Sequence, residues 1–337
     1  MNILVVGPSW VGDTILSQPL LRLLLQQAPG AQIDYLAPPW TLPLLTRMPE
    51  VRQGIKNPFG HGALRIAERR RLGLALREAR YDLAVVLPNS WKSALIPWFA
   101  GIPQRRGFRG EARWVLLNDL RRLDEQALPQ MVQRFAALGL PVGRPLPESL
   151  SRPELQSPAA GREALLARLG LDRQRLAVAF CPGAEFGPAK RWPEAHFAAL
   201  AKMLVARDFA VWLVGSPKDH PVAEAIRQQA GEACINLCGR TDIAEAADLL
   251  AASRLVVSND SGLMHVAAAV GRPLIALYGS SSPRFTPPLG ADARVLSLEL
   301  DCSPCFERNC PLGHLRCLNG ISPERVFAEI DFARIAA

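Results

Sequence analysis

The sequence contains no apolar run of the length, about 20 residues, that crosses a bilayer. Met1 is followed at once by NILVVG, a strand-like segment with neither the basic start nor the small-residue cleavage site of a signal peptide. Aromatic residues make up only 7% of the chain, and they do not interleave with basic residues as they do in proteins that bind single-stranded nucleic acid. These absences predict a cytoplasmic protein.

Cysteine occurs seven times, an odd number that does not suit a framework of disulfide bonds in a cytoplasmic chain. Four of the cysteines lie in the segment CSPCFERNCPLGHLRC, which also contains His314; they are Cys302, Cys305, Cys310 and Cys317. Four such side chains could close a structural zinc site, although their spacing departs from paired zinc knuckles. Ordinary thiols in a folded loop are the alternative.

The 337 residues suit two domains, and a content of 49% hydrophobic and 21% charged residues is that of a folded protein. Strand-like segments such as NILVVG and LAVVLP alternate with helical ones, and the alternation starts again after the Pro-rich residues 141–158. This pattern is typical of parallel sheets. We predict an α/β protein of two Rossmann-like parallel-sheet domains, 1–155 and 156–337, that face a central cleft. The last helix is a candidate to pack back on the first domain.

Three polar turns follow predicted strands, at the end of a parallel sheet where ligands bind. The first, GPSWVGD, places Asp13 at the start of a helix, where it either caps the helix or acts as a general base. The second, CPGAEFGPAKRWP, combines Gly183 with Lys190 and Arg191, which favours an anion site over an ordinary surface loop.

The third turn, in NDSGLMHVAAA, sets Asp260, Ser261 and Gly262 at the mouth of a helix, with His265 one turn further on. The unpaired N–H groups of a helix N-terminus suit a phosphate, so we expect the second and third turns to meet the same anion. The chain has no Asp-x-Asp pair, the carboxylates that usually hold the Mg²⁺ of a sugar diphosphate. A helix N-terminus and Lys190 would stabilise a leaving diphosphate instead.

The chain resembles glycosyltransferase family 9, the lipopolysaccharide heptosyltransferases, over essentially its whole length. The resemblance is carried, in this order, by GPSWVGD, CPGAEFGPAKRWP, NDSGLMHVAAA, FTPPL and CSPCFERNCPLGHLRCL. It implies the GT-B fold, an inverting transfer, and the donor ADP-L-glycero-β-D-manno-heptose (ADP-heptose) bound by the second domain. It also implies that the first domain holds the acceptor heptosyl-Kdo₂-lipid A, which receives the second heptose of the lipopolysaccharide (LPS) inner core. No cofactor is expected, and the catalysis requires no metal.

The resemblance gives roles to matching positions. Asp13 would be the catalytic base that deprotonates the acceptor hydroxyl, and Lys190 would act in catalysis by contacting the donor phosphates. From the turns and the resemblance together, the candidate donor contacts are Gly183, Lys190, Arg191, Asp219 at the ribose, Thr241 at the nucleotide, Asp260, Ser261, Gly262 and His265.

The net charge of +8 and the basic segment 65–80 indicate either a solvated helix face or an anionic partner. The Kdo carboxylates and phosphates of the acceptor would be such a partner. The candidate acceptor contacts are Arg65, Arg69, Arg70, Arg71, Arg105 and Arg106. Because this acceptor is a lipid, we also expect peripheral contact with the cytoplasmic face of the inner membrane.

Three other functions stay open from the sequence. A related transferase would add the first heptose to Kdo. A GT-B sugar-nucleotide epimerase would need no acceptor. The charge and the cysteines would also suit a zinc-stabilised nucleic-acid-binding protein. The three turns and the two α/β domains favour the transferase, with no nucleic acid as partner.

Overall fold

The computed structural model describes residues 1–60, 62–172 and 174–336, and the chain divides into two compact units, 1–153 and 154–337. Each unit contains a six-stranded sheet whose neighbouring strands run parallel. The predicted α/β class with two Rossmann-like parallel sheets is therefore confirmed.

The N-terminal unit has the strand order β3-β2-β1-β4-β5-β6. Its strands are β1 Asn2–Val6, β2 Gln32–Ala37, β3 Val51–Lys56, β4 Leu83–Val86, β5 Gln104–Phe108 and β6 Asp119–Arg121. Its helices are α1 Val11–Leu16, α2 Gln18–Gln27, α3 Ile66–Ala75, α4 Trp91–Phe99 and α5 Met131–Ala137, with 3₁₀ turns at Leu42–Arg47 and Leu76–Ala79.

The segment DTILSQPLLRLLLQQ, which reads as one helix, forms the two helices α1 and α2. Pro19 stands in the first turn of α2, where its missing N–H is tolerated, but it cannot continue a helix from before that point. Ser17 stands at the junction, and its hydroxyl donates to the Thr14 carbonyl at 2.7 Å. The break therefore has a local cause in the sequence.

The C-terminal unit has a second six-stranded parallel sheet, with the strand order β12-β11-β10-β7-β8-β9. Its strands are β7 Ala177–Cys181, β8 Ala210–Leu213, β9 Cys234–Asn236, β10 Leu255–Asn259, β11 Leu274–Tyr278 and β12 Ala293–Ser297. Its helices are α6 Ala159–Leu169, α7 Glu194–Val205, α8 His220–Ala230, α9 Ile243–Ala252, α10 Gly262–Ala269, α11 Arg316–Asn319, α12 Pro323–Ala328 and α13 Phe332–Ala336, with 3₁₀ turns at Pro188–Lys190 and Pro217–Asp219.

In each sheet the first strand lies beside the fourth, so the direction of winding reverses between them. These reversal points lie between β1 and β4 in the first unit and between β7 and β10 in the second. Ligands of open α/β sheets bind outside the carboxyl ends of the strands at such a point. All four strands are almost completely buried and mostly apolar, so the loops that follow them begin at the packed core.

The last helix, α13, packs within the C-terminal unit. Ile335 belongs to the hydrophobic core of that unit, and the Phe332 ring contacts those of Phe209 and Phe327, with centroids 6.0 and 5.0 Å apart. The expectation that this helix packs back on the first domain stays a prediction. No helix among the described residues is long and apolar enough to span a bilayer.

We expect Gly73→Ala to destabilise the N-terminal unit, because α3 approaches α4 closely at this residue. A Cβ at position 73 would lie 2.6 Å from the Phe99 Cβ and 2.7 Å from the Ile96 carbonyl oxygen. Such overpacking lowers the free energy of unfolding by about 1–3 kcal/mol, and thermal unfolding measures it. Gly60→Ala is the matched control, since no atom of the described residues lies within 4 Å of the added group. An unchanged melting temperature for Gly73→Ala would contradict the close approach.

Candidate functional site

The loop between β7 and α7, residues 182–193, is held at both ends by one buried side chain; we call it the donor loop. Asn259, the last residue of β10, donates from Nδ2 to the Pro182 carbonyl at 2.7 Å and accepts at Oδ1 from the Trp192 N–H at 3.0 Å. The Asn259 side chain is fully buried. Because β7 and β10 are neighbours, the second and third turns of the sequence lie side by side, as expected.

Lys190 of the donor loop forms an ion pair with Asp260, and the Lys190 Nζ lies 2.5 Å from the Asp260 Oδ2. Asp260 is only 5% exposed, and the Ser281 hydroxyl donates to the same oxygen. Because the Asp260 carboxylate is almost fully buried, removal of Lys190 would leave a desolvated charge without its partner, which is costly. The donor loop and the β10 turn are therefore coupled by charge, and a phosphate that binds here has to share the ammonium with Asp260.

Helix α10 begins directly after this turn. Ser261 stands at the N-cap with extended backbone (φ −146°, ψ 172°), yet its side chain makes no capping hydrogen bond. Its hydroxyl lies 3.3 Å from that of Ser258 instead. Gly262, the first residue of the helix, has no side chain to cover the N–H groups. The first turn of α10 thus offers N–H groups without a side-chain cap, the arrangement that suits an anion.

His265 lies one turn into α10 and is 5% exposed. Burial lowers the pKa of its imidazole to about 4; the nearby Asp260 carboxylate opposes this shift and the Lys190 ammonium adds to it. The imidazole is therefore neutral at neutral pH. It can exchange hydrogen bonds with a ligand, but it brings no positive charge to a phosphate.

Gly183 and Asp219 meet where the loops after β7 and β8 come together. A Cβ at residue 183 would overlap the Asp219 carboxyl group, so this contact requires glycine. The Asp219 Oδ2 accepts from the N–H of Ser216 at 2.9 Å and from its hydroxyl at 2.8 Å, which closes a capping box. The structure thus brings Asp219 to the donor loop, with one carboxylate oxygen committed to the turn.

Arg191 and Thr241 each bury a polar atom that has no hydrogen-bond partner within the described parts of the chain. These atoms are the Arg191 Nε and the Thr241 Oγ1. Because buried polar groups in proteins are nearly always satisfied, each is suited to a ligand or to water. Their roles as donor contacts stay predictions.

Asp13 lies in the first turn of α1, at the reversal point of the N-terminal sheet, and is partly exposed. The ring of Tyr35 lies beneath this loop, so close to Gly7 that a Cβ there would overlap it. The Tyr35 hydroxyl shares a 2.9 Å hydrogen bond with Ser17. Burial raises the pKa of Tyr35, and the negative charge of Asp13 adds to the effect. The buried phenol beneath the Asp13 loop is therefore uncharged at neutral pH.

The six candidate arginines divide into two groups. Arg69 and Arg105 donate to backbone carbonyls of their own unit, and Arg106 pairs with Asp119, Nε to Oδ2 2.6 Å. These three guanidinium groups are used in contacts within the unit, whereas the other three are exposed, and the role of all six as acceptor contacts stays a prediction. The exposed group is Arg65, Arg70 and Arg71.

The four cysteines predicted as a zinc site line one cavity of the C-terminal unit, together with His314 and the buried Ser280. Within the part of the chain that the structure describes, no three or more Cys, His, Asp or Glu side chains are placed to hold a metal ion. Backbone N–H groups, that of Leu315 foremost, lower the pKa of the Cys310 thiol. The side chains as placed do not form a metal site, and zinc stays a prediction from the spacing alone.

The cysteine-rich segment also supports the donor loop. The Ala189 N–H donates to the Arg308 carbonyl at 3.1 Å. The Lys190 ammonium and the Arg308 guanidinium both lie over the Phe186 ring, 5.0 and 5.2 Å from its centroid. This gives the segment a structural role that does not need a metal.

Sequence reasoning missed Asn259, Ser281 and Arg308. The first two stand beside the third polar turn, where a lone Asn or Ser gives no sign that its side chain reaches back to another loop. Arg308 lies far along the chain from the donor loop, and no pattern in the sequence connects them.

Two doubly wound parallel-sheet units, each with candidate ligand groups at its reversal point, define an α/β protein of the GT-B type. The family model for glycosyltransferase family 9 (heptosyltransferase) matches residues 69–316. The chain belongs to this family and is a glycosyltransferase. Membership decides against the epimerase and the nucleic-acid-binding alternatives.

Relatives within the family differ widely in similarity. The chain is 51% identical over 342 residues to lipopolysaccharide heptosyltransferase 2 of Escherichia coli, which covers 98% of each chain. It matches the structure of E. coli ADP-heptose LPS heptosyltransferase II with a TM-score of 0.90 at 48% identity, over 100% of this chain and 99% of the other. Lipopolysaccharide heptosyltransferase 1 of Pseudomonas aeruginosa is 29% identical over 374 residues, 100% of this chain and 99% of that protein.

We expect His265→Gln to reduce the loss of stability on acidification. The pKa of His265 is about 4 in the folded chain and 6.5 as the ordinary value, so the unfolded chain takes up the proton first. The folded state therefore loses stability as the pH falls from 6.5 towards 4, by up to about 3 kcal/mol from this group. Urea unfolding at pH 7 and pH 4.5 measures the difference, with His220→Gln, at an exposed histidine, as the control. An equal pH dependence in wild type and His265→Gln would contradict the buried neutral imidazole.

Proposed function

We propose that this chain transfers L-glycero-D-manno-heptose from ADP-heptose to heptosyl-Kdo₂-lipid A, adding the second heptose of the LPS inner core. The observation that carries the proposal is the full-length similarity to heptosyltransferase 2 of E. coli, at 51% identity, against 29% for heptosyltransferase 1 of P. aeruginosa.

The C-terminal unit binds the donor in this proposal. Its diphosphate lies against the uncapped N-terminus of α10 and the Lys190 ammonium, which together supply N–H groups and a positive charge. The Asp260 carboxylate and the neutral His265 imidazole are suited to the hydroxyls of the heptose, since neither adds positive charge. Asp219 and Thr241 bind the nucleotide.

The N-terminal unit supplies the base. The acceptor hydroxyl attacks the anomeric carbon from the face opposite the diphosphate, and the bond from that carbon to the phosphate oxygen breaks. The hydroxyl proton passes to the Asp13 carboxylate, and ADP leaves with the electron pair. Because negative charge grows on the diphosphate in the transition state, fixed N–H groups and Lys190 bind that state more tightly than the ground state.

The exposed arginines of the N-terminal unit attract the anionic acceptor. Arg65, Arg70 and Arg71 lie on α3 or directly before it, and the Kdo carboxylates and phosphates complement their charge. Because lipid A anchors the acceptor in a bilayer, we place the protein in the cytoplasm, in peripheral contact with the inner membrane through charge.

Two acceptors that differ by one heptose test the function. With ADP-heptose, we expect the purified chain to add one heptose to heptosyl-Kdo₂-lipid A much faster than to Kdo₂-lipid A, as followed by mass spectrometry. Equal or faster transfer to Kdo₂-lipid A would assign the chain to the first heptose instead. Transfer to neither acceptor would reject the proposal.

Asp13→Asn tests the base. We expect kcat to fall by about 10²–10⁴-fold, because the amide cannot take the proton, while the KM for ADP-heptose changes little. Asn keeps the shape of the side chain, so circular dichroism and thermal unfolding should match the wild type. Asp124→Asn, at a carboxylate elsewhere in the same unit, is the control. Near-normal turnover by a folded Asp13→Asn would show that another group takes the proton.

A further inference from the structure

Two tryptophans at the carboxyl edge of the N-terminal sheet are exposed, although aromatic side chains of this size are mostly buried. Trp10, which is 38% exposed, lies in the loop after β1 and is the N-cap of α1. Trp40, which is 48% exposed, lies in the loop after β2. Since β1 and β2 are parallel neighbours, both indoles lie at the same edge as Asp13, in the first turn of α1.

The structure fixes the Trp40 indole on the loop that carries Trp10. The Trp40 Nε1 donates to the carbonyl of Ser9, the residue before Trp10, at 2.8 Å. The same loop is tied to β2 at its start, where the Gly7 N–H donates to the Leu36 carbonyl at 2.9 Å. The Trp40 indole is thus held by a backbone contact on the loop that leads to Asp13, and both indoles keep an exposed part.

We propose that Trp10 and Trp40 form a stacking surface for the pyranose rings of the acceptor saccharide. The inference rests on the proposed function. A pyranose ring has C–H groups on its faces and hydroxyls at its rim, so an indole can bury a face while the rim keeps its hydrogen bonds. A ring held on these indoles keeps its rim hydroxyls at the edge that carries Asp13. The indoles therefore recognise the sugar rings, whereas Arg65, Arg70 and Arg71 recognise the acceptor's charge.

A lipid surface is the other chemistry that exposed tryptophans suit, because Trp is enriched at membrane interfaces. The saccharide is favoured for two reasons. The polar N–H of Trp40, which an interfacial Trp directs to the headgroups, is used inside the fold on Ser9. Trp10 is also the N-cap of α1, the helix whose first turn carries the Asp13 carboxylate that would act on the saccharide.

Alanine variants at the two positions test the stacking surface, with Trp98→Ala as the matched control. Trp98 is a similarly exposed indole, at 42%, on α4 of the same unit. With deacylated heptosyl-Kdo₂ saccharide as acceptor, we expect Trp10→Ala and Trp40→Ala to raise the acceptor KM about 5- to 20-fold and to leave the KM for ADP-heptose unchanged. Trp10→Phe should restore most of the acceptor affinity, because a ring face remains. The effect should persist at high salt, which weakens the arginine contacts.

A second measurement needs no transfer, so it separates this inference from the proposed function. Titration with the same saccharide should change the tryptophan fluorescence of the wild type and of Trp98→Ala, and the change should be reduced in Trp10→Ala and Trp40→Ala. If both variants keep the acceptor affinity of the control, the inference is wrong. It is also wrong if they bind the saccharide normally but lose affinity for anionic phospholipid vesicles, because the indoles would then contact lipid.

Discussion

The two hydrogen bonds of the buried Asn259 amide are the constraint on which the candidate donor site depends. They join the first and last parts of the donor loop to the end of β10, across the reversal point of the C-terminal sheet. With the loop held there, the Lys190 ammonium lies 2.5 Å from the carboxylate of Asp260, the residue that follows Asn259. A buried amide group that loses its hydrogen-bond partner costs about 1–3 kcal/mol, so these two hydrogen bonds stabilise the loop in this position. The cysteine-rich segment adds a second support at Ala189.

The two units share one topology but present different chemistry at the same place in it. The C-terminal unit offers an ammonium, uncapped helix N–H groups and a neutral imidazole, which suit a diphosphate and a sugar. The N-terminal unit carries Asp13 and two exposed indoles at the carboxyl edge of its sheet, and exposed arginines at α3, the groups that the proposed function assigns to an anionic saccharide. This division follows from the loops alone, because the strands beneath them are equally apolar in both units.

Local sequence patterns predicted the interior of both sheets and much less of their edges. The segments NILVV, LAVV, AVAFC and LVVSN are apolar except for Asn2, Ser258 and Asn259, as expected for strands buried on both faces. The outer strands β3 and β12, VRQGIK and ARVLS, are mostly polar or half-exposed, and only their pairing with a neighbour makes them strands. The two-domain α/β architecture could be read from the first group alone.

The sequence by itself determined the family and the residue types at the reversal points, because both are carried by short segments whose chemistry is local. Only the tertiary structure decided how these residues are used. The sequence suggests surface charges at Arg69, Arg105 and Arg106. In the fold, however, their N–H groups donate to backbone carbonyls or to Asp119. The sequence makes His265 a candidate donor contact, and only its burial in the fold makes the imidazole neutral. The physical reason is the same in each case: hydrogen bonding, pairing and desolvation depend on neighbours that are distant in the chain, so no local pattern can record them.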